Sequence, residues 1–467
     1  MGASLAVSTA AASKVAPEPG SLLTAMSKSG AASLVSGLLA AGANKMMASV
    51  AGPASVALLA TLQQARQAAL VAATANGQTA LVQGASSLTG VRRREYLRTA
   101  ILSVAALTLV VAVLLGTTRF PVTGFDFGPG FDPNLLRWLA VPLLLSSLYV
   151  VLSALLGALG STGALAAIQV AASAAMLAGA PWAARMARAN RPWALVALLA
   201  FSAGVSVAGA VWALRRSGAV LKEWLLGAGC LFSASAARHF FSIATTMLLS
   251  GFAGSAALLL VRSQIIRTSG LAATGEWDAA WNVSMNQAAL VLASLQTHFL
   301  PAMAGARSKE ERKSRFSTVL RAGVLVSALV ISGLALAKPW VLTLLYAPSF
   351  RPAAEFLRWT LVGDYLKVSS WIVSIPLLAA AEMRSFLVAD LVAYLTFVIA
   401  AFALTAKLGA AVAASVAFVL MYTAHLALCS ALLWNRQGLW PSRTALLAWV
   451  AGLAAVVLAS AVSWNWK

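Results

Sequence analysis

The residues that could do chemistry in this chain are charged and amide side chains set inside long apolar stretches. Lys45 follows Asn44 about mid-way along one such stretch, and Arg66 sits in the next with Gln63, Gln64 and Gln67. Arg262 and Arg267 flank the end of a later one. Asn282, Asn286, Gln287 and Gln296 run along another, and Arg358, Asp364 and Lys367 share a third. A Lys or Arg deep in an apolar span is costly, so it faces a bundle interior or an aqueous cavity and marks a functional path. The chemistry open to such groups is non-covalent. Cations hold an anion, carboxylates compete for the cations, and amides bond a polar ligand or link helices. A blander reading stands beside this one. Lys45 and Arg66 could snorkel to the interface, and Arg262 could be an ordinary loop charge. Asp364 and Lys367 are i, i+3 and can pair, as can Glu355 and Arg358; Arg358 lies off the Asp364 face. Such pairs either tie helices together or, by exchanging partners, gate a two-state transition.

Nothing points to covalent catalysis. No nucleophile–base constellation is present. Cys230 and Cys429 lie in apolar surroundings without ligand spacing, and His239, His298 and His425 are scattered. Hence no catalytic residue, metal site or cofactor is expected. Asp390, inside an apolar run, is a further candidate for ion coupling, to protons or sodium.

These side chains must be positioned by membrane helices. The chain is 60% hydrophobic and only 10% charged, where a soluble domain carries about 25% charged residues. The fold class expected is an all-α polytopic membrane protein. About twelve spans are expected, each needing roughly 20 apolar residues, and thirteen if the last run also crosses. They are Gly30–Val50, Ser55–Leu81, Thr99–Thr117, Leu135–Leu159, Thr162–Ala183, Pro192–Leu214, His239–Val261, Trp277–Leu300, Leu320–Leu345, Ala354–Ala381, Phe386–Ala406, Ala410–Leu433 and Leu446–Val462. Residues 1–28 read as a disordered or interfacial arm, 29–226 as a first lobe of six helices plus a connector, 227–435 as a second lobe of six, and 436–467 as an extra apolar helix. The first two spans of each half are unusually polar, and a basic loop follows each pair (Val91 to Arg98 and Arg307 to Arg315), which suggests an internal duplication.

The formal charge of +21 does not imply nucleic acid, because the basic residues sit in short clusters between spans. Arg92, Arg93, Arg94 and Arg98, then Arg215, Arg216 and Lys222, then Arg307 to Arg315, then Arg436 and Arg443 fall on one side. That bias places the N-terminus in the cytoplasm. Arg185, Arg188 and Arg191 break the pattern, through either a miscounted span or a local exception. Glu276 and Asp278 read as carboxylates at the start of the eighth helix, complementing its dipole. The mixed-charge segment Ala306 to Arg315 reads as an anchor that meets anionic headgroups.

Two strings carry a resemblance. Phe356 to Leu391, "FLRWTLVGDYLKVSSWIVSIPLLAAAEMRSFLVADL", resembles the C-terminal lobe of the Wzx-type flippases, of the multidrug/oligosaccharidyl-lipid/polysaccharide exporter superfamily. Glu276 to Ala304 is similar to that family's eighth helix, with an acidic-Trp start and a Leu-Pro pair, Leu300 and Pro301. The likeness covers roughly Gln264 to Asn435; the first half matches in span number and in its polar opening helices.

The resemblance implies two six-helix lobes in a V and alternating access in a bacterial inner membrane. Its implied substrate is an undecaprenyl-pyrophosphate-linked oligosaccharide, as in O-antigen or enterobacterial common antigen assembly. On that reading Lys45, Arg66, Arg262 and Lys367 face the pyrophosphate, which cannot be buried unpaired. Asn44, Gln63, Asn282 and Asn286 then meet sugar or link helices, and Asp364 and Arg358 serve gating or ion coupling. The implied partners are membrane lipid, the prenyl-linked glycan, and polymerase or chain-length proteins of the pathway. A multidrug or small-cation pump of the same superfamily is the competing function, although it needs acidic cavities and this chain's polar spans hold more cations. A membrane polymerase or ligase needs a long catalytic loop, which is missing. A non-transporting membrane component of polysaccharide assembly stays open.

Overall fold

The computed structural model describes residues 19–117, 132, 134–216, 229–294, 299, 303, 308–380 and 382–463. Gln296, Lys222, Arg307, most of the expected arm and the Trp464–Lys467 end lie outside the described residues. Within them the regular structure is helical, with no strand. The first half comprises α1 (Pro19–Thr74), α2 (Gln78–Ser87), α3 (Gly90–Thr117), α4 (Asn134–Trp138), α5 (Ala140–Ala158), α6 (Thr162–Arg188) and α7 (Trp193–Arg216). The second comprises α8 (Ala234–Ser294), α9 (Lys309–Leu345), α10 (Ala353–Ala379), α11 (Met383–Leu408), α12 (Ala410–Gln437) and α13 (Arg443–Val462). Eleven helices among the described residues are long and apolar enough to cross a membrane. Helix α1 begins at Pro19, inside the range expected for the arm.

Expected spans one and two are present as two helical segments that follow each other directly, with no loop between them. They are two segments of α1, meeting at Gly52. Spans seven and eight are likewise two segments of α8, meeting at Gly270. Gly52 has φ 76° and ψ −177°, and Gly270 has φ 81° and ψ 172°. Only glycine enters this backbone region cheaply. Each half therefore opens with the same device, a long helix broken once by a glycine.

The break in α8 reverses the chain. Arg262 and Asp278 are 16 residues apart, yet their side chains meet. A straight helix would separate them by about 24 Å. The segments on either side of Gly270 must fold back on each other. The break in α1 lies nearby, since the backbone of Gly275 packs directly on the Pro53 carbonyl with no room for a Cβ.

Each half packs mainly within itself, α1 on α6 and α6 on α7 in the first, α11 and α10 on α12 in the second. The halves meet chiefly through α1 against α8. Helix α10 is the most enclosed span, 83% buried along its apolar window. It carries Asp364 and Lys367, which need that protection from lipid. The outward faces are apolar, with Leu109, Leu329, Leu395 and Leu447 exposed, as a lipid solvent requires.

The extra C-terminal run is helix α13, and it docks on α9 and α10. The Tyr365 hydroxyl donates to the Trp449 carbonyl at 2.7 Å, and the Trp449 indole N–H donates to Ser369 Oγ at 3.0 Å. Spans five and six are the distinct helices α6 and α7, joined by a short turn. Arg185 and Arg188 occupy the last turn of α6, where a cation complements the helix dipole.

Candidate functional site

The polar residues of α1, α8 and α10 meet where the two halves touch. Two cavities lie there, on opposite faces of the second segment of α8. One, of about 270 Å³, is lined by Asn44 of α1, Asn286 and Gln287 of α8, and Tyr346 after α9. The other, of about 260 Å³, is lined by Gln64 of α1, Trp281 and Met285 of α8, Tyr394 of α11, and Phe418 and Tyr422 of α12. Gln64 rather than its neighbour Gln63 reaches this second wall. Asn282, between the two faces, lies against Tyr346. Among the described residues, neither cavity has Asp or Glu in its lining.

Helix α10 backs both cavities through α8. Asp364 is fully buried, and its Oδ2 accepts from the Gln287 side chain at 2.8 Å. Lys367 Nζ lies 3.1 Å from Met285 Sδ and 5.8 Å from the centre of the Tyr422 ring. Both Met285 and Tyr422 line the second cavity, so the ammonium stands at its wall. The direct Asp364–Lys367 pair expected from their spacing is not formed. The carboxylate accepts from Gln287 and the ammonium lies against Met285, and the two charges interact without direct contact. The i, i+3 pair of Glu355 and Arg358 is present, at 3.8 Å.

Lys45 is exposed, and its ammonium donates to the Leu344 carbonyl at 2.7 Å. That bond joins α1 to the C-terminal turn of α9, where unpaired carbonyls and the helix dipole attract a cation. Lys45 thus crosses the seam beside the first cavity. Arg66 does not cross. Its Nη1 donates to Ser146 Oγ of α5 at 3.0 Å, inside the first half.

Arg262 is neither a loop charge nor an open anion site. It is 3% exposed and forms a two-pronged pair with Asp278, at 2.5 and 2.6 Å. Its guanidinium also contacts Thr61 of α1 at 3.5 Å and lies 5.6 Å from the Trp277 ring. Asp278 is correspondingly no dipole cap. It stands two turns past the break at Gly270 and is 1% exposed. A carboxylate so placed requires a buried partner, and Arg262 satisfies it.

Lys338 and the partners of Asp390 escaped the sequence reading. Lys338 stands before Pro339 inside α9, is 3% exposed and interacts electrostatically with Arg358. Its only signal was a lysine interrupting an apolar run. The other is a cluster at Asp390. Ser250 Oγ of α8 donates to Asp390 Oδ2 at 2.5 Å, and His425 Nε2 of α12 lies 3.3 Å from Asp390 Oδ1. The histidine looked isolated because its partner is on another helix.

Several solved structures share this fold. An inward-facing multidrug resistance MATE family transporter of the MOP superfamily superposes with a TM-score of 0.64, at 14% identity, over 91% of this chain and 95% of that one. The lipid II flippase MurJ, in an inward closed conformation, gives 0.65 at 12% identity, over 93% of this chain and 98% of that one. A MOP superfamily transporter from Pyrococcus furiosus, described as having a binding pocket of reverse polarity, gives 0.53 at 14% identity over 93% of each chain. The chain has the fold of these transporters. No protein-family model matches the sequence, and no significant match to a curated protein is found.

Proposed function

We propose that this protein is a flippase that carries an undecaprenyl-pyrophosphate-linked oligosaccharide from the cytoplasmic to the periplasmic leaflet of a bacterial inner membrane, as the Wzx-type flippases do. The supporting observation is the charge at the seam. Lys45 is bonded to Leu344 beside the first cavity, and Lys367 touches Met285 and Tyr422, which line the second. Asp278 is paired with Arg262, and Asp364, which also interacts with Lys367, accepts from Gln287. An anion gains in such surroundings and a small cation does not, which disfavours multidrug-cation efflux. The amides of Asn44, Asn286 and Gln287 give hydroxyl-rich sugar the partners it needs on leaving water. The prenyl tail stays in lipid throughout. Alternating access follows if α1 and α8 rock about their glycine breaks, with Lys45 releasing the α9 carbonyl in one state. Proton or sodium coupling, if used, is assigned to Asp390 and His425.

The test is removal of the protein from its own cell, followed by assay of the lipid-linked glycan. Accumulation in the cytoplasmic leaflet, with unchanged drug susceptibility, is the expected result. Normal periplasmic glycan delivery would sink the proposal. Selective loss of drug resistance would favour the efflux reading.

A further inference from the structure

A cleft of about 400 Å³ opens away from the seam, where the N-terminal ends of α9 and α13 meet. Lys313, Ser317 and Arg321 line it from α9, and Ser442 and Thr444 line it from α13. The three α9 residues are spaced i, i+4, i+8, so they share one helical face. Ser442 fixes the geometry. Its backbone N–H donates to Ser317 Oγ at 3.0 Å, and its Oγ accepts from the Ala445 N–H at 3.3 Å, capping α13. The positive end of the α13 dipole therefore opens into a cleft that already holds two cations. Glu310 is the one carboxylate on its wall, and it is exposed.

What lies next to the cleft narrows its occupant. One turn further along α9 come Leu325 and then Leu329, both exposed. One turn further along α13 come Leu447 and then Val450, also exposed. Trp434 and Trp440, exposed and edge-to-face at 5.8 Å, stand just before α13, as aromatic side chains do at a membrane interface. A basic, hydroxyl-rich cleft thus sits at interface level above two parallel apolar strips.

We propose that this cleft binds the phosphate of one anionic phospholipid, whose acyl chains lie along the exposed faces of α9 and α13. Lys313 and Arg321 neutralise the phosphate, and the Ser442 and Thr444 hydroxyls, bonded to each other at 3.0 Å, leave one O–H to donate to it. The site exists because α13 is present, so it belongs to the extra helix and not to the seam where the transported substrate is placed. Charge bias puts it on the cytoplasmic side. The lipid fastens α13 to α9 and with it the wall of α10 that carries Asp364 and Lys367.

The test uses the purified full-length protein in detergent, titrated with phosphatidylglycerol or phosphatidylcholine and read by native mass spectrometry. Phosphatidylglycerol should be retained in preference. The double variant Lys313→Ala with Arg321→Ala should weaken retention by about 30-fold, from two basic contacts at the membrane surface. The charge-preserving pair Lys313→Arg with Arg321→Lys should retain it, and so should Arg215→Ala, a control cation at the end of α7. Excess inorganic phosphate should leave the bound lipid in place. Equal retention by the double alanine variant, or of the two lipids, overturns the proposal. Displacement by inorganic phosphate overturns it in favour of a free-phosphate site.

Discussion

Replacing Asp278 by Asn tests whether the buried pair at the fold-back of α8 is a structural tie. Asp278 and Arg262 are 1% and 3% exposed, and two oxygens face two guanidinium nitrogens. With about 4 Å between charge centres and an effective dielectric near 20, the lost attraction is about 4 kcal/mol. That agrees with the roughly 3–5 kcal/mol typical of breaking one side of a buried pair. Most of it is the penalty of leaving Arg262 charged and alone between α8 and α1. The double variant Arg262→Met with Asp278→Leu removes both charges and keeps the volume, so it should be more stable than Asp278→Asn. Thermal unfolding of the purified protein, followed by tryptophan fluorescence, measures both. A melting temperature unchanged in Asp278→Asn would refute the reasoning. So would a double variant no more stable than Asp278→Asn, since removing both charges should relieve the penalty of an unpaired Arg262.

Gly52→Ala and Gly270→Ala should each destabilise by about 1–3 kcal/mol through backbone strain alone, because a Cβ at either site would touch no other atom; wild-type unfolding in both would mean that the breaks tolerate any residue. Lys367→Met should fold normally yet lower glycan delivery at least about tenfold if the ammonium meets an anion in the second cavity, each factor of ten being about 1.4 kcal/mol; full delivery at normal expression would remove Lys367 from the path. Arg66→Met, whose partner Ser146 lies within the first half, should reduce the folded fraction more than the transport rate per folded molecule, and the reverse outcome would return Arg66 to the substrate path.

The membrane class, the helical architecture and most helix positions could be read from the sequence. They depend on local partition between lipid and water, which apolar run length and charge density encode directly. The Glu355–Arg358 pair was also legible, because i, i+3 contacts are fixed by the helix itself. The identity of the other partners was not. Arg262 meets Asp278 only because Gly270 turns the chain back, and although the end of one span and the start of the next could be read on either side of it, the angle of that turn could not. Asp364 and Lys367 each meet a different side chain of α8. Arg66 turns to Ser146 on α5, and His425 finds Asp390 on the helix before its own. Each of these contacts joins separate helices and is set by the angle at a backbone break or by the rotation of a neighbour. Neither quantity is contained in the hydropathy of a single segment, so tertiary packing alone decided which buried charges are neutralised and which still face the cavities between the halves.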